Sequence, residues 1–330
     1  MKKTAVILFN LGGPCSLTEV QPFLFNLFND PAILRVPQPF RFMLAKLISA
    51  RRTPVAREIY AQLGGSSPIL KNTQAQAQAL EAVLNFRQAN PYKVFLTMRY
   101  APPFALEVAS AVKDYKPDHM ILLPLYPQFS TTTTESSLKE WAQVARMAGL
   151  KEHSTCICSP WPTEKGFINA LTGMTRTAYE EAKRYGKPRV LFSAHGLPEK
   201  IVKTGDPYPA QCAETVEALR KSLALPDLDS VLCFQSRVGP LKWITPSTEE
   251  EVQRAGRDKV PLVIVPIAFV SDHSETLVEI EIELRAVATQ TGVPFFARVP
   301  AVGTNPLFIE ALADLVVASE KGDTPIPLEN

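Results

Sequence analysis

The chain has no Gly-x-Gly-x-x-Gly or Walker sequence behind any of its apolar runs, which removes the main support for a dinucleotide or nucleotide site. No apolar stretch is long enough to span a bilayer. The start, Met1-Lys2-Lys3 followed by Thr4-Ala5-Val6-Ile7-Leu8-Phe9, is basic and then apolar. It is too short for a leader and lacks a small-residue cleavage site, so it reads as a first strand. Cysteines are few: Cys15, Cys156, Cys158, Cys212 and Cys233. They are odd in number and lack zinc spacing, so free thiols in a reducing, cytoplasmic compartment are expected. An excess of one charge is also missing. With 35 Lys and Arg against 33 Asp and Glu the net charge is +2, and no strong field favours nucleic acid. Histidine is scarce too, with four in 330 residues.

What is present is an alternation. Apolar runs at 4–9, 94–98, 120–125 and 155–158 read as strands, with helical stretches at 72–86 and 104–112. Thr132 and Glu135 have capping-box spacing and predict a helix start at Thr132. The second half repeats the plan with strands at 189–194, 230–235, 262–269 and 295–299, and helices at 210–223 and 272–289. The strand ends rhyme. Asn10-Leu11-Gly12-Gly13-Pro14 matches His195-Gly196-Leu197-Pro198, Arg99 matches Arg237, and 126–130 matches 267–271. Strands alternating with helices argue for parallel sheets, and two such halves for a pair of α/β domains with a cleft between them. Residues 17–48 are crowded with Phe, Leu and Pro and interleaved by Arg35, Arg41 and Lys46. That stretch suits helical core, and equally an apolar lip over a greasy ligand or a membrane surface.

Chemistry collects at two places. The run Val190-Leu191-Phe192 reads as a buried strand that stops at Ser193, and His195 follows in the loop. Ligands of open α/β sheets bind just beyond the carboxyl ends of the strands, and a histidine there can take up a proton or meet a metal. Ser271-Asp272-His273-Ser274-Glu275-Thr276 follows the most apolar strand of the second half. At helical spacing Asp272, Glu275, Glu279 and Glu283 form one acidic stripe, with His273, Leu277, Ile280 and Leu284 on an apolar face. Such a ladder suits a path for protons or hard cations, and equally a solvated helix face. Histidine plus carboxylate without thiolate is a moderate ligand set for Fe(II), Co(II) or Zn(II).

The run Phe192-Ser193-Ala194-His195-Gly196-Leu197-Pro198, continuing to Gly205-Asp206-Pro207-Tyr208, resembles the signature of the ferrochelatases, which insert ferrous iron into protoporphyrin IX to make protohaem. Gln235-Ser236-Arg237-Val238-Gly239-Pro240 with Trp243, and the Ser271 to Thr276 run, agree with the same family. So do Arg51-Arg52-Thr53-Pro54, residues 64–68, Met98-Arg99-Tyr100 and Leu125-Tyr126-Pro127-Gln128.

The resemblance implies two flavodoxin-like (chelatase) domains, each a parallel sheet flanked by helices. The first would be 1–160, with the lip at about 17–50, joined by a C-terminal helix in 304–330; the second would be 161–303. It implies His195 and Glu275 as the catalytic and metal-meeting pair, and Asp272, Glu279 and Glu283 as a proton or metal relay. Asn10, Arg99, Tyr100, Tyr126, Ser130 and Trp243 would bind porphyrin. Fe(II) enters as substrate, with no permanent cofactor. Relatives that carry an iron–sulfur cluster hold it on tail cysteines, and no cysteine follows Cys233 here, so no cluster is expected. The expected partners are protoporphyrin IX and Fe(II), without nucleic acid, in a cytoplasmic monomer or dimer with peripheral membrane contact through the lip. Alternatives are a coproporphyrin or cobalt chelatase, or a non-catalytic porphyrin carrier.

Overall fold

In the computed structural model, residues 2–150, 155–237, 239 and 241–320 are described. Val238 and Pro240 of the Gln235 motif, and the 321–330 end of the expected C-terminal segment, lie outside the described residues. The chain divides into two compact units, residues 1–160 with Ile309 onward, and Trp161–Phe308.

The first unit is built on β1 (Thr4–Asn10), β2 (Tyr92–Met98), β3 (His119–Pro124) and β4 (Thr155–Ile157), all parallel in the order β2-β1-β3-β4. Every residue of β1 is buried, as a strand between two neighbours and under helices on both faces requires. Its helices are α1 (Val20–Phe28), α2 (Phe40–Gln62), α3 (Ile69–Arg87), α4 (Ala105–Tyr115) and α5 (Thr134–Ala148). One face of the sheet packs Phe9 edge-on against Trp141, with Ile7, Leu122, Val108 and Val112 around them.

The second unit repeats the topology. β5 (Arg189–His195), β6 (Asp229–Gln235), β7 (Leu262–Pro266) and β8 (Phe296–Arg298) run parallel in the order β6-β5-β7-β8. Around them lie α6 (Lys165–Ala182), α7 (Glu199–Lys203), α8 (Tyr208–Leu223), α9 (Thr248–Asp258), a π-helix (Glu275–Leu284) that continues as α10 (Arg285–Thr291), and the start of α11 (Pro306–Glu320). The α/β, two-sheet architecture read from the sequence is therefore the observed one.

The details differ in five places. The ladders pair Asn10 with Met98 and His195 with Gln235, so Arg99 corresponds to Ser236 rather than to Arg237. By the same ladders Tyr126 corresponds to Phe269, so the second rhyme slips by two; loop lengths drift while hydrogen-bonded register does not. The expected N-cap at Thr132 is also displaced. Helix α5 starts after Thr133 with no side-chain cap, because Glu135 turns to Lys139 and the Ser130 carbonyl accepts the Glu135 N–H. The crowded 17–48 stretch divides between the two readings it suited. Val20, Phe23 and Leu24 of α1 are core, whereas Phe40, Phe42, Met43, Leu44 and Leu47 of α2 are exposed. Finally, the helix expected from Asp272 begins at Ser274–Glu275 and is a π-helix for ten residues, which changes which side chains share a face.

Candidate active site

His195 is the last residue of β5, the central strand of its sheet, and Gln235 is the last of β6 beside it. Gly196 then passes so close to the Gln235 carbonyl (2.8 Å from an added Cβ) and to the Trp243 ring (3.3 Å) that a side chain there would push one of them away. The tight exit sets the direction of the imidazole. His195 Nδ1 lies 2.8 Å from Glu275 Oε2, and the His195 side chain keeps 38% of its surface exposed. Glu275 heads the π-helix, so the sequence-expected pair meets directly.

A second ring of contacts fixes that pair. Ser236 follows β6 in the left-handed region, at φ +64°, a costly conformation for a residue with a side chain. It brings both its N–H (2.6 Å to Oε1) and its Oγ (2.6 Å to Oε2) onto the Glu279 carboxylate, with the same Oγ 3.3 Å from Glu275 Oε2. The Gln235 amide donates to Glu279 Oε2 and to the Glu275 carbonyl, while its oxygen accepts from Ser193 Oγ. Gln235 thus ties β5, β6 and the π-helix together at the site. His273 precedes the helix rather than lying on its apolar face. It is buried against Phe269, with Nδ1 at the Ser271 carbonyl and Nε2 3.9 Å from Glu275 Oε2. Sequence reasoning missed Ser236, Gln235 and His273 as members of the site, although all three lie within the quoted motifs.

The electrostatics follow from this packing. Burial favours neutral His195, but the Glu275 charge and hydrogen bond, with the Glu279 charge behind them, win and raise its pKa above 6.5. Burial works against ionised Glu275 as well, yet His195, His273 and the Ser236 hydroxyl hold its pKa down at about 2. Glu279 moves the other way: burial and the Glu275 charge raise it, against the hydrogen bonds from Ser236 and Gln235. His273 is lowered by its burial and stays neutral. Two carboxylates lie side by side, Glu279 with the higher proton affinity of the two, an arrangement suited to accepting and passing on a proton.

The rest of the expected relay is not gathered here. Asp272 lies before the helix and is engaged by Arg298 and Thr276, and Glu283 is exposed. Of the residues expected to bind porphyrin, Trp243 belongs to the second unit and is half-buried, its ring against Gly196. The others are in the first unit. Asn10 is buried and bonded to Thr73, Ser130 is buried and in contact with Thr132, and Tyr126 is half-buried against the core. Tyr100 is buried with its hydroxyl on Asp30. Arg99 is spent on Asp30, Ser136 and Glu140.

The doubled four-stranded parallel sheet is the fold of chelatases of known structure. Solved structures with the same fold are SirB from Bacillus subtilis with Fe3+ (13% identity, 99% of this chain and 100% of that one, TM-score 0.57) and CbiX (15% identity, 96% and 99%, TM-score 0.51). Within that class the chain belongs to the ferrochelatase family, whose family model matches residues 3–320. Similar relatives named ferrochelatase come from Wolbachia sp. subsp. Drosophila simulans (53% identity, 96% of this chain and 99% of the relative) and Pelagibacter ubique (49% identity, 96% and 91%). A third, from Caulobacter vibrioides, is 48% identical over 96% of this chain and 90% of its own length.

Proposed function

We infer that this ferrochelatase carries out insertion of Fe(II) into protoporphyrin IX, the step that makes protohaem, at the His195–Glu275 pair. The observation that carries the assignment is the 2.8 Å contact between His195 Nδ1 and Glu275 Oε2 at the end of a central strand. With Glu275 on Nδ1, neutral imidazole keeps its proton there and presents the Nε2 lone pair outward. That nitrogen accepts a pyrrole proton or meets the incoming metal. Glu275, held ionised, stabilises the imidazolium that results. Glu279, tied to Glu275 through Ser236, is the next proton acceptor.

A flat porphyrin hides its nitrogen lone pairs, so the protein must hold a bent ring, and contacts at the periphery offset that strain. Trp243 in the second unit and Tyr126 in the first are each half-buried aromatic side chains with surface left for a macrocycle. Asn10, Tyr100 and Ser130 are buried and internally bonded within the first unit. The exposed stripe of α2, flanked by Arg41, Lys46 and Arg51, is the lip through which an apolar macrocycle enters, and it suits peripheral contact with an anionic membrane. Among the described residues no helix is long and apolar enough to cross a membrane. The reading includes action in the cytoplasm without a resident cluster. Cys158, Cys212 and Cys233 are each buried, their thiols pushed up to about 12 mainly by burial.

The test is anaerobic mixing with protoporphyrin IX and Fe(II), followed by absorbance. Multiple turnovers to haem, lost in His195→Ala with porphyrin binding retained, are expected. Insertion near the original rate in His195→Ala sinks the site. Tight porphyrin binding with no turnover in the unaltered protein favours a carrier.

A further inference from the structure

The loop that delivers Glu275 to His195 is held from outside by one guanidinium. Arg298 is the last residue of β8, and its side chain is 11% exposed. Its Nη1 donates to Asp272 Oδ1 at 2.8 Å, and its Nε reaches Glu281 Oε2 at 3.3 Å. Asp272 lies three residues before Glu275, and Glu281 six residues after it, so one side chain from the sheet spans the approach to the π-helix and its middle. Asp272 Oδ1 also accepts the Thr276 hydroxyl at 2.8 Å and the Ala301 N–H at 3.4 Å. The Thr276 hydroxyl in turn accepts the His273 N–H at 3.0 Å. A continuous set of hydrogen bonds therefore runs from Arg298 through Asp272 and Thr276 to the backbone of His273, on either side of Glu275.

We propose that Arg298 is a positioning residue for metal insertion, and that Asp272 serves as its anchor rather than as a member of the relay. A planar guanidinium can grip two carboxylates in fixed directions, which a lysine ammonium cannot. The helix it grips is not self-sufficient. Its wider turns pack less well than an α-helix, and such segments persist where surrounding contacts hold them. A shift of about 1 Å in a reacting group can cost on the order of a hundredfold in rate, and Glu275 sits between the two gripped points. The inference rests on the His195–Glu275 reading of the site.

The test is steady-state insertion kinetics on the full chain, with kcat at saturating Fe(II) and KM for protoporphyrin read separately. Arg298→Ala is expected to lose between about tenfold and a hundredfold in kcat with KM for protoporphyrin within about twofold. Arg298→Lys should recover part of the loss. Arg285→Ala is the control, since Arg285 also holds Glu281 but does not touch Asp272; it should stay within about twofold of the original. Asp272→Ala removes the anchor and should lose kcat in the same direction. Combined with Arg298→Ala it should add little beyond the larger single loss, because both changes break one contact. Should Arg298→Ala fail to fold, the Lys variant and Asp272→Ala alone carry the test, and unchanged kcat in both overturns the proposal. Unchanged kcat in Arg298→Ala, an equal loss in Arg285→Ala, or additive losses in the double variant overturns the proposal. Activity lost in His195→Ala but kept in Arg298→Ala removes this inference alone; activity kept in His195→Ala removes the site itself.

Discussion

At the scale of single residues, the contact between His195 and Glu275 makes opposite pH demands on its two members. Glu275, lowered toward about 2, contributes stability that is complete above its unfolded value of 4.5 and fades as pH falls toward 2. His195, raised above 6.5, contributes stability that is complete below 6.5 and is lost as pH rises through its folded value. The metal-free protein should gain most from the pair between about pH 4.5 and 6.5. In an NMR titration the His195 ring should show a midpoint above 6.5, and Glu275→Gln should bring it down. A midpoint unmoved by that change means Glu275 does not set it. Both residues were legible because a strand end and a local signature converge on them. Ser236 was not, because nothing in the letters Gln-Ser-Arg announces a positive φ, and its hold on Glu279 comes from that backbone turn. His273 was misplaced because helical periodicity was extended back through residues that precede the helix.

Elements carry a different kind of constraint. Gly256 of α9 lies against Thr291 of α10, where an added Cβ would fall 2.7 Å from the Thr291 carbonyl oxygen and still nearer its hydroxyl. Backbone cannot yield as a flexible side chain does, so Gly256→Ala should cost about 1–3 kcal/mol through overpacking. Thermal or urea unfolding reads that directly, and an unchanged midpoint refutes the close approach. On α2 the expected outcome concerns a surface. Phe40, Met43 and Leu47 recur on one exposed face, and replacing all three by Ser should weaken binding to anionic vesicles while leaving the fold intact. Unchanged vesicle binding would leave that face without a membrane role. Strand positions were readable because buried parallel strands are continuous apolar runs, as Thr4-Ala5-Val6-Ile7-Leu8-Phe9 shows. The start of α5 was not, because Thr131 to Thr134 offers four similar caps and the choice among them is made by Ser130 and Lys139.

For the whole molecule, the longest-range feature is the return of α11 to the first unit. Glu320 accepts the Thr4 hydroxyl and the Tyr92 hydroxyl at the beginnings of β1 and β2, while Arg87 of α3 pairs with Glu310 and Asp314. Leu312 and Val316 are fully buried. Leu312→Ala should therefore destabilise by about 2–5 kcal/mol, and hydrogen exchange should show the loss in the amides of β1 and not in those of β5. Equal loss in both strands would mean the units unfold as one.

The repeated topology also divides labour between two copies of one scaffold. In the second unit, Ser236 meets Glu275 and Glu279, four residues apart on the helix after β7. In the first, its register partner Arg99 meets Ser136 and Glu140, four apart on the helix after β3, and Asn10 stands where His195 does. The same address in the fold thus holds the contacts of Ser236 with two carboxylates in one copy and an ion cluster centred on Arg99 in the other. A doubled chain allows that divergence: on the proposed function one copy keeps the proton chemistry, and its twin is free to serve the macrocycle and the fold.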